Sequence, residues 1–132
     1  TNLNGTFYML KEALSVMIKQ KSGSIINIAS ISAFKSCIGD SNYSASKSGV
    51  ISLTRTAARE AGHFGVTVNA VLPGFHLTNI GSNASNDYIE AVKRESVLNV
   101  TTDIKELVGF ILFLAEVKTV SGQIFNFDSR II

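Results

Sequence analysis

At 132 residues, with 45% hydrophobic and 17% charged side chains, the chain has the length of one domain and a dry composition for so small a surface, which suggests apolar faces that something else covers. A formal charge of +2 from scattered lysines and arginines, with no basic stripe, argues against a nucleic-acid partner. The single Cys37 cannot form an internal disulfide and suits a reducing, cytoplasmic setting, while the longest apolar run, Leu107 to Ala115, is far too short to span a membrane.

In chain order, Phe7, Leu10, Leu14 and Met17 recur at helical spacing and predict a first helix over Asn4–Lys21, ended by Gly23 after Lys19 and Lys21. Ser24–Ser30 is short, apolar and rich in Ile, as expected of a strand buried on both faces of a parallel sheet. A loop follows from Ile31 to Ser41. A second helix is predicted over Asn42–Phe64, with Ser41 or Asn42 as its N-cap, and Gly65 closes it before a second apolar strand, Val66–Leu72. Phe75 to Asn86 is rich in Ser, Asn and Gly and reads as a mobile loop or lid. A short helix is expected over Asp87–Glu95. Another runs from Thr101-Thr102-Asp103 to Ala115, apolar nearly all round and therefore expected to be heavily buried. Ser121-Gly122 turns the chain into a last strand, Gln123–Phe127.

Strand, helix and strand with short connections make a parallel crossover unit. Ser30 and Pro73-Gly74 then fall at the carboxyl ends of neighbouring strands, where open α/β sheets bind ligands. Just beyond lies Asn42-Tyr43-Ser44-Ala45-Ser46-Lys47. Tyr43 and Lys47 stand at i and i+4 of a predicted helix and so share one face. A phenol ordinarily ionises near ~10, and a neighbouring ammonium favours its anion, so such a pair can exchange protons near neutrality. The same spacing occurs on many surface helices, and its meaning rests on the residues around it. His63 and His76 show no ligand spacing and read as structural or surface residues; no metal site is expected.

Asn2, Ser30, Tyr43-x-x-x-Lys47 and Pro73-Gly74 with Thr78 close behind occur in the order and spacing of the short-chain dehydrogenase/reductase family, and the chain resembles the subgroup that includes the 3-oxoacyl-acyl-carrier-protein reductases. The resemblance implies an α/β fold, the carboxyl-terminal part of a Rossmann-like doubly wound parallel sheet: about three strands with flanking helices. It implies an NAD- or NADP-dependent hydride transfer to or from a small carbonyl or alcohol. Tyr43 would be the proton donor, Lys47 would tune it and hold the nicotinamide ribose, and Ser30 would hold the substrate oxygen. Asn2 would hold a water behind Lys47. Pro73, Gly74 and Thr78 would line the nicotinamide. Duller readings stand beside these: Asn2 as a helix cap, Ser30 as a strand-end cap, Pro73-Gly74 as a turn.

Two segments depart from the family pattern. His76 stands where the family usually has Val or Ile, and the ending Asn126-Phe127-Asp128-Ser129 lacks the Gly-Gly pair common there. No glycine-rich turn for a pyrophosphate occurs either. The resemblance covers essentially all 132 residues but only the carboxyl-terminal half, or slightly more, of a complete member. The chain is thus expected to be a single partial domain, 1–132, with the nucleotide-binding half absent and the Ser24–Ser30 strand left as an unpaired edge. The helices Asn4–Lys21 and Asn42–Phe64 are expected to form the main contact of a homodimer or homotetramer. The alternative is a non-catalytic fragment or dimerisation module that binds no cofactor.

Overall fold

The run Val66-Thr67-Val68-Asn69-Ala70-Val71-Leu72 is buried at every position and forms the centre of the molecule. The computed structural model describes residues 2–76 and 84–132. Its helices are α1 (Asn2–Gln20), α2 (Ser41–Ala61), α3 (Asn86–Glu95) and α4 (Ile104–Glu116). Its strands are β1 (Gly23–Ile28), β2 (Val66–Leu72) and β3 (Ile124–Asn126), and short 3-10 turns occupy Ile31–Ala33 and Gly62–Phe64. The strands form one parallel sheet in the order β1-β2-β3. Gly23 lies opposite Val66 and Ile28 opposite Val71; on the other side Ala70 lies opposite Ile124 and Leu72 opposite Asn126.

Alternation along β2 divides its side chains between two helical layers. Val66 and Val68 pack with Leu10 of α1 and Ala57 and Ala61 of α2, while Ala70 and Leu72 meet Val50 and Ile51 of α2. Val71 points the other way, onto Leu107 and Leu114 of α4. Full burial of each Val or Leu is worth about 1.5–3 kcal/mol. The polar residues of this strand are paired, as burial demands. Asn69 donates to the Val120 carbonyl at 2.9 Å and accepts the Gln123 N–H at 3.1 Å, and the Thr67 hydroxyl donates to Ser24 Oγ at 3.1 Å. The Asn69 carboxamide thereby ties the approach to β3 onto β2, although β3 itself has only three residues.

Several sequence expectations need correction. β1 is not buried on both faces: among its residues only Asn27 is buried, and Ile28 is 45% exposed. It is, as expected, an edge strand of the described sheet, but it is covered by α1 and α2 on one face and only partly by α4 on the other. Gly23 does not end α1. Lys21 does, at φ 54, with Ser22 N–H donating to the Met17 carbonyl, and Gly23 opens β1 beneath the Met17 side chain. Neither Ser41 nor Asn42 caps α2 from outside, because the helix already includes them; Asp40 precedes it without a side-chain cap, and Asn42 Oδ1 accepts the Tyr43 N–H at 2.8 Å. The Asn42–Phe64 helix is α2 followed by the 3-10 turn, closed by Gly65 at φ 75, where a Cβ would press on the Lys21 carbonyl.

α4 begins as read from the sequence, with Asp103 Oδ1 accepting the Lys105 N–H at 2.6 Å. It is not heavily buried. Leu107 and Leu114 reach the core, but Val108, Leu112 and Phe113 stand 49–64% exposed. The last strand is shorter than Gln123–Phe127, although the ladder runs on past it through Ala70 N–H to the Gln123 carbonyl and Phe127 N–H to the Leu72 carbonyl. Most of the expected loop over 75–86 lies outside the described residues.

Candidate active site

The parallel register brings two strand ends together. The Ala29 N–H donates to the Val71 carbonyl at 2.9 Å, which carries the β1 ladder one residue past Ile28 and delivers Ser30 beside Pro73. Ser30 caps the 3-10 turn that follows: its Oγ accepts the Ser32 N–H and donates to Ser32 Oγ, both at 3.2 Å. Its duller role is therefore real. It nonetheless lines a cleft of about 260 Å³. Ser30, Tyr43, Pro73 and Gly74 all line that cleft, together with Asp40 and Arg130.

Tyr43 reaches the cleft from the first turn of α2 and is 37% exposed. The Lys47 ammonium lies one helical turn on, 5.7 Å from the Tyr43 ring centroid, at cation–π distance. It donates to the Ile28 carbonyl at 2.9 Å, so the helix bearing the Tyr-Lys pair is pinned to the last residue of β1. Lys47 supports the cleft from behind Tyr43 and does not line it.

Partial burial lowers the Lys47 pKa below the ordinary lysine value, because desolvation disfavours the ammonium. The unfolded chain then holds more protons than the folded one between the lowered value and the ordinary one. Stability at this residue accordingly rises with pH through that alkaline window. Lys47→Met should flatten the rise, read from urea midpoints at a series of alkaline pH values. An unchanged slope would place the group in free solvent.

Pro73 and Gly74 follow β2 directly. Gly74 has φ 81, and a Cβ there would run into Thr102 Oγ1 and the Asp128 carboxylate, so the glycine lets this segment lie against the start of α4 and the tail. The His76 imidazole spans the same gap, with Nε2 2.7 Å from the Pro73 carbonyl and Nδ1 3.0 Å from the Thr102 carbonyl. A neutral ring donates from one nitrogen only, so at least one of these contacts is a hydrogen bond. His76 is thus a structural residue, as the sequence suggests, and it splints the segment that follows the central strand.

Asn2, also named from the sequence, is not brought into the cleft. It lies in the first turn of α1, exposed, with its carbonyl accepting the Thr6 hydroxyl, and no hydrogen bond joins it to Lys47. The approach of Leu3 to Gly49 sets this end of α1 beside α2, close along the helix to Lys47. Thr78 lies outside the described residues.

Sequence reasoning missed Asp40, Tyr88 and Arg130 as lining residues. For Arg130 a signal existed, since the ending already departs from the family pattern. Arg130 Nε and Nη2 both donate to Asp128 Oδ2, at 2.8 and 2.5 Å, in a pair only 9% and 5% exposed.

The chain is similar in sequence to known proteins over nearly its whole length. A family profile described as enoyl-(acyl carrier protein) reductase matches residues 1–129. A 3-oxoacyl-[acyl-carrier-protein] reductase from Synechocystis sp. is 40% identical over 99% of the chain and 53% of its own length. The enzyme of that name from Staphylococcus epidermidis is 38% identical over 93% of the chain and 51% of its length, and that from Aquifex aeolicus 37% identical over 86% and 46%. The chain spans about half the length of the curated relatives it matches.

Proposed function

Because the chain belongs to the short-chain dehydrogenase/reductase family, a family of oxidoreductases, we propose that it carries the proton-transfer and substrate-holding residues of an NAD- or NADP-dependent enzyme acting on a carbonyl or alcohol. One observation carries the reading: Ser30, Tyr43, Pro73 and Gly74, scattered in sequence, share one cleft at the carboxyl ends of adjacent parallel strands.

The residues present fit the nicotinamide end of such a cofactor, through the backbone of Pro73-Gly74 and the face of Tyr43 backed by Lys47. The pyrophosphate end would need a glycine-rich helix N-terminus, which the described residues do not supply. A segment outside this chain would contribute it in the whole protein. When bound, the nicotinamide supplies or accepts the hydride.

This chain's residues do the rest. Ser30 turns its hydroxyl from Ser32 to the substrate oxygen and orients it. Tyr43 gives its phenolic proton to that oxygen during reduction and takes it back in the reverse direction. Lys47, with three donors, keeps one on the Ile28 carbonyl and can turn the others to the ribose side of the cleft. Asn2 stands at the end of α1 from which a water could relay protons to Lys47, and Thr78 would add a hydroxyl on the nicotinamide side.

A groove between α1 and α2, lined by Phe7, Leu10, Leu14 and Leu53, together with exposed Met9 and Val16, suits a second copy of the chain. No helix among the described residues is long and apolar enough to cross a membrane.

The test is consumption of NADH and NADPH by the protein that carries this chain, with a panel of 3-oxoacyl thioesters and simple ketones. Turnover with one of the two nicotinamides is expected, and the preference identifies the cofactor. If neither is oxidised, and neither binds by fluorescence titration, the proposed reaction is wrong.

A further inference from the structure

Resting on the oxidoreductase reading above, we propose that Arg130 is a substrate-recognition residue, which makes the preferred substrate a compact, uncharged carbonyl compound bearing a second oxygen acceptor. The tail places Arg130 in the lining of the cleft that holds Ser30 and Tyr43. Its backbone is fixed there: Arg130 pairs with Ser96 across an antiparallel bridge, its N–H donates to Asp128 Oδ1 at 2.9 Å, and its carbonyl accepts from Asn126 Nδ2 at 2.9 Å.

A guanidinium has five N–H donors. Two are taken, one on Nε and one on Nη2, both by a single oxygen of Asp128. The remaining N–H groups make no hydrogen bond among the described residues, although Arg130 is only 8% exposed. These N–H groups are not sealed orphans of the core, since the buried side-chain atoms without a partner among the described residues are Ser44 Oγ and Asn126 Oδ1; at the lining of the cleft they are donors that an oxygen of a ligand can meet.

Charge and size define that ligand further. The Arg130 cation is already matched by the Asp128 anion, and the carboxyl group of Asp40 adds a further anionic group to the lining. With the Lys47 ammonium behind Tyr43 offsetting Asp40, the cleft carries no surplus positive charge to draw in an anion, whereas a neutral hydroxyl or carbonyl oxygen needs only the free donors. The cleft, about 260 Å³, lies below the roughly 300–1,000 Å³ of pockets that enclose drug-sized ligands. Its polar lining (Ser30, Ser32, Asp40, Tyr43 and Arg130) offers little to a long alkyl chain.

The test uses two ketones of equal size, 4-hydroxy-2-butanone and 2-pentanone, which differ by a hydroxyl in place of a methyl. For the protein that carries this chain, kcat/KM should favour the hydroxyketone by about 10–100-fold, the worth of a hydrogen bond to a charged donor. In Arg130→Gln the ratio should fall toward one. The double variant Asp128→Asn/Arg130→Gln, which keeps a neutral amide pair in place of the ion pair, should behave the same and guards against loss of fold. An unchanged ratio in folded variants, or no preference in the wild type, overturns the proposal.

Ligand-observed NMR binding of the two ketones, without cofactor, separates this inference from the reaction. If nothing is reduced yet the hydroxyketone binds in an Arg130-dependent way, the oxidoreductase reading fails and the recognition site stands. If nothing is reduced and binding ignores Arg130, both fail.

Discussion

Tyr43→Phe is expected to lower turnover by about 10²–10⁴-fold, the usual contribution of a general acid/base. The substitution removes only the phenolic oxygen. The ring keeps its place in the first turn of α2 and still offers its face to the Lys47 ammonium. Cofactor binding and thermal stability should therefore change little. The measurement is steady-state turnover beside a nicotinamide binding titration. Near-normal turnover would remove Tyr43 from the role and leave the cleft in need of another proton donor.

Asp128→Ala should be the most damaging change to stability outside the hydrophobic core. It removes the only ion-pair partner, among the described residues, of a guanidinium that is 9% exposed, and breaking a buried pair from one side typically costs about 3–5 kcal/mol. Urea midpoints of the wild type and variant measure it. The Asp128→Asn/Arg130→Gln double variant should lose much less, since no charge is left stranded. A loss below ~1 kcal/mol in the single variant would mean that water reaches the pair and that it behaves as a surface salt bridge.

What could be read from the sequence follows the physics of each element. β2 was legible because a strand covered on both faces must be apolar throughout, and its exceptions, Thr67 and Asn69, find internal partners. β1 carries the same kind of residues, and its place at the edge was expected from the resemblance, but how little of it the helices cover depends on packing, which composition does not encode. The error on α4 has the same origin. Its apolar face was visible, but whether Leu112 and Phe113 meet the core or face outward depends on the packing of the whole.

At the site, Tyr43 and Lys47 were legible because helical spacing alone places them together. The pinning of Lys47 to the Ile28 carbonyl was not, since a backbone acceptor leaves no mark in side-chain sequence. Arg130 is an intermediate case. A departure from an expected glycine pair flagged the tail, but only the three-dimensional course of residues 126–130 shows which cleft the new side chain enters.

The cleft draws Ser30 from the end of an edge strand and Pro73-Gly74 from the end of the central one. Strands held on one side open more readily than strands held on both, and amide hydrogen exchange resolves such openings. The amides of β2, bonded inside a fully buried strand, should exchange only when the whole chain unfolds, while those around Ile28 to Ser30 should exchange through smaller, more frequent openings. Each such opening takes the Ser30 hydroxyl away from Tyr43 and also withdraws the carbonyl that anchors Lys47. Under the proposed reaction, the fraction of molecules competent to react would then follow the fraying of one strand end and could fall while the global fold persists.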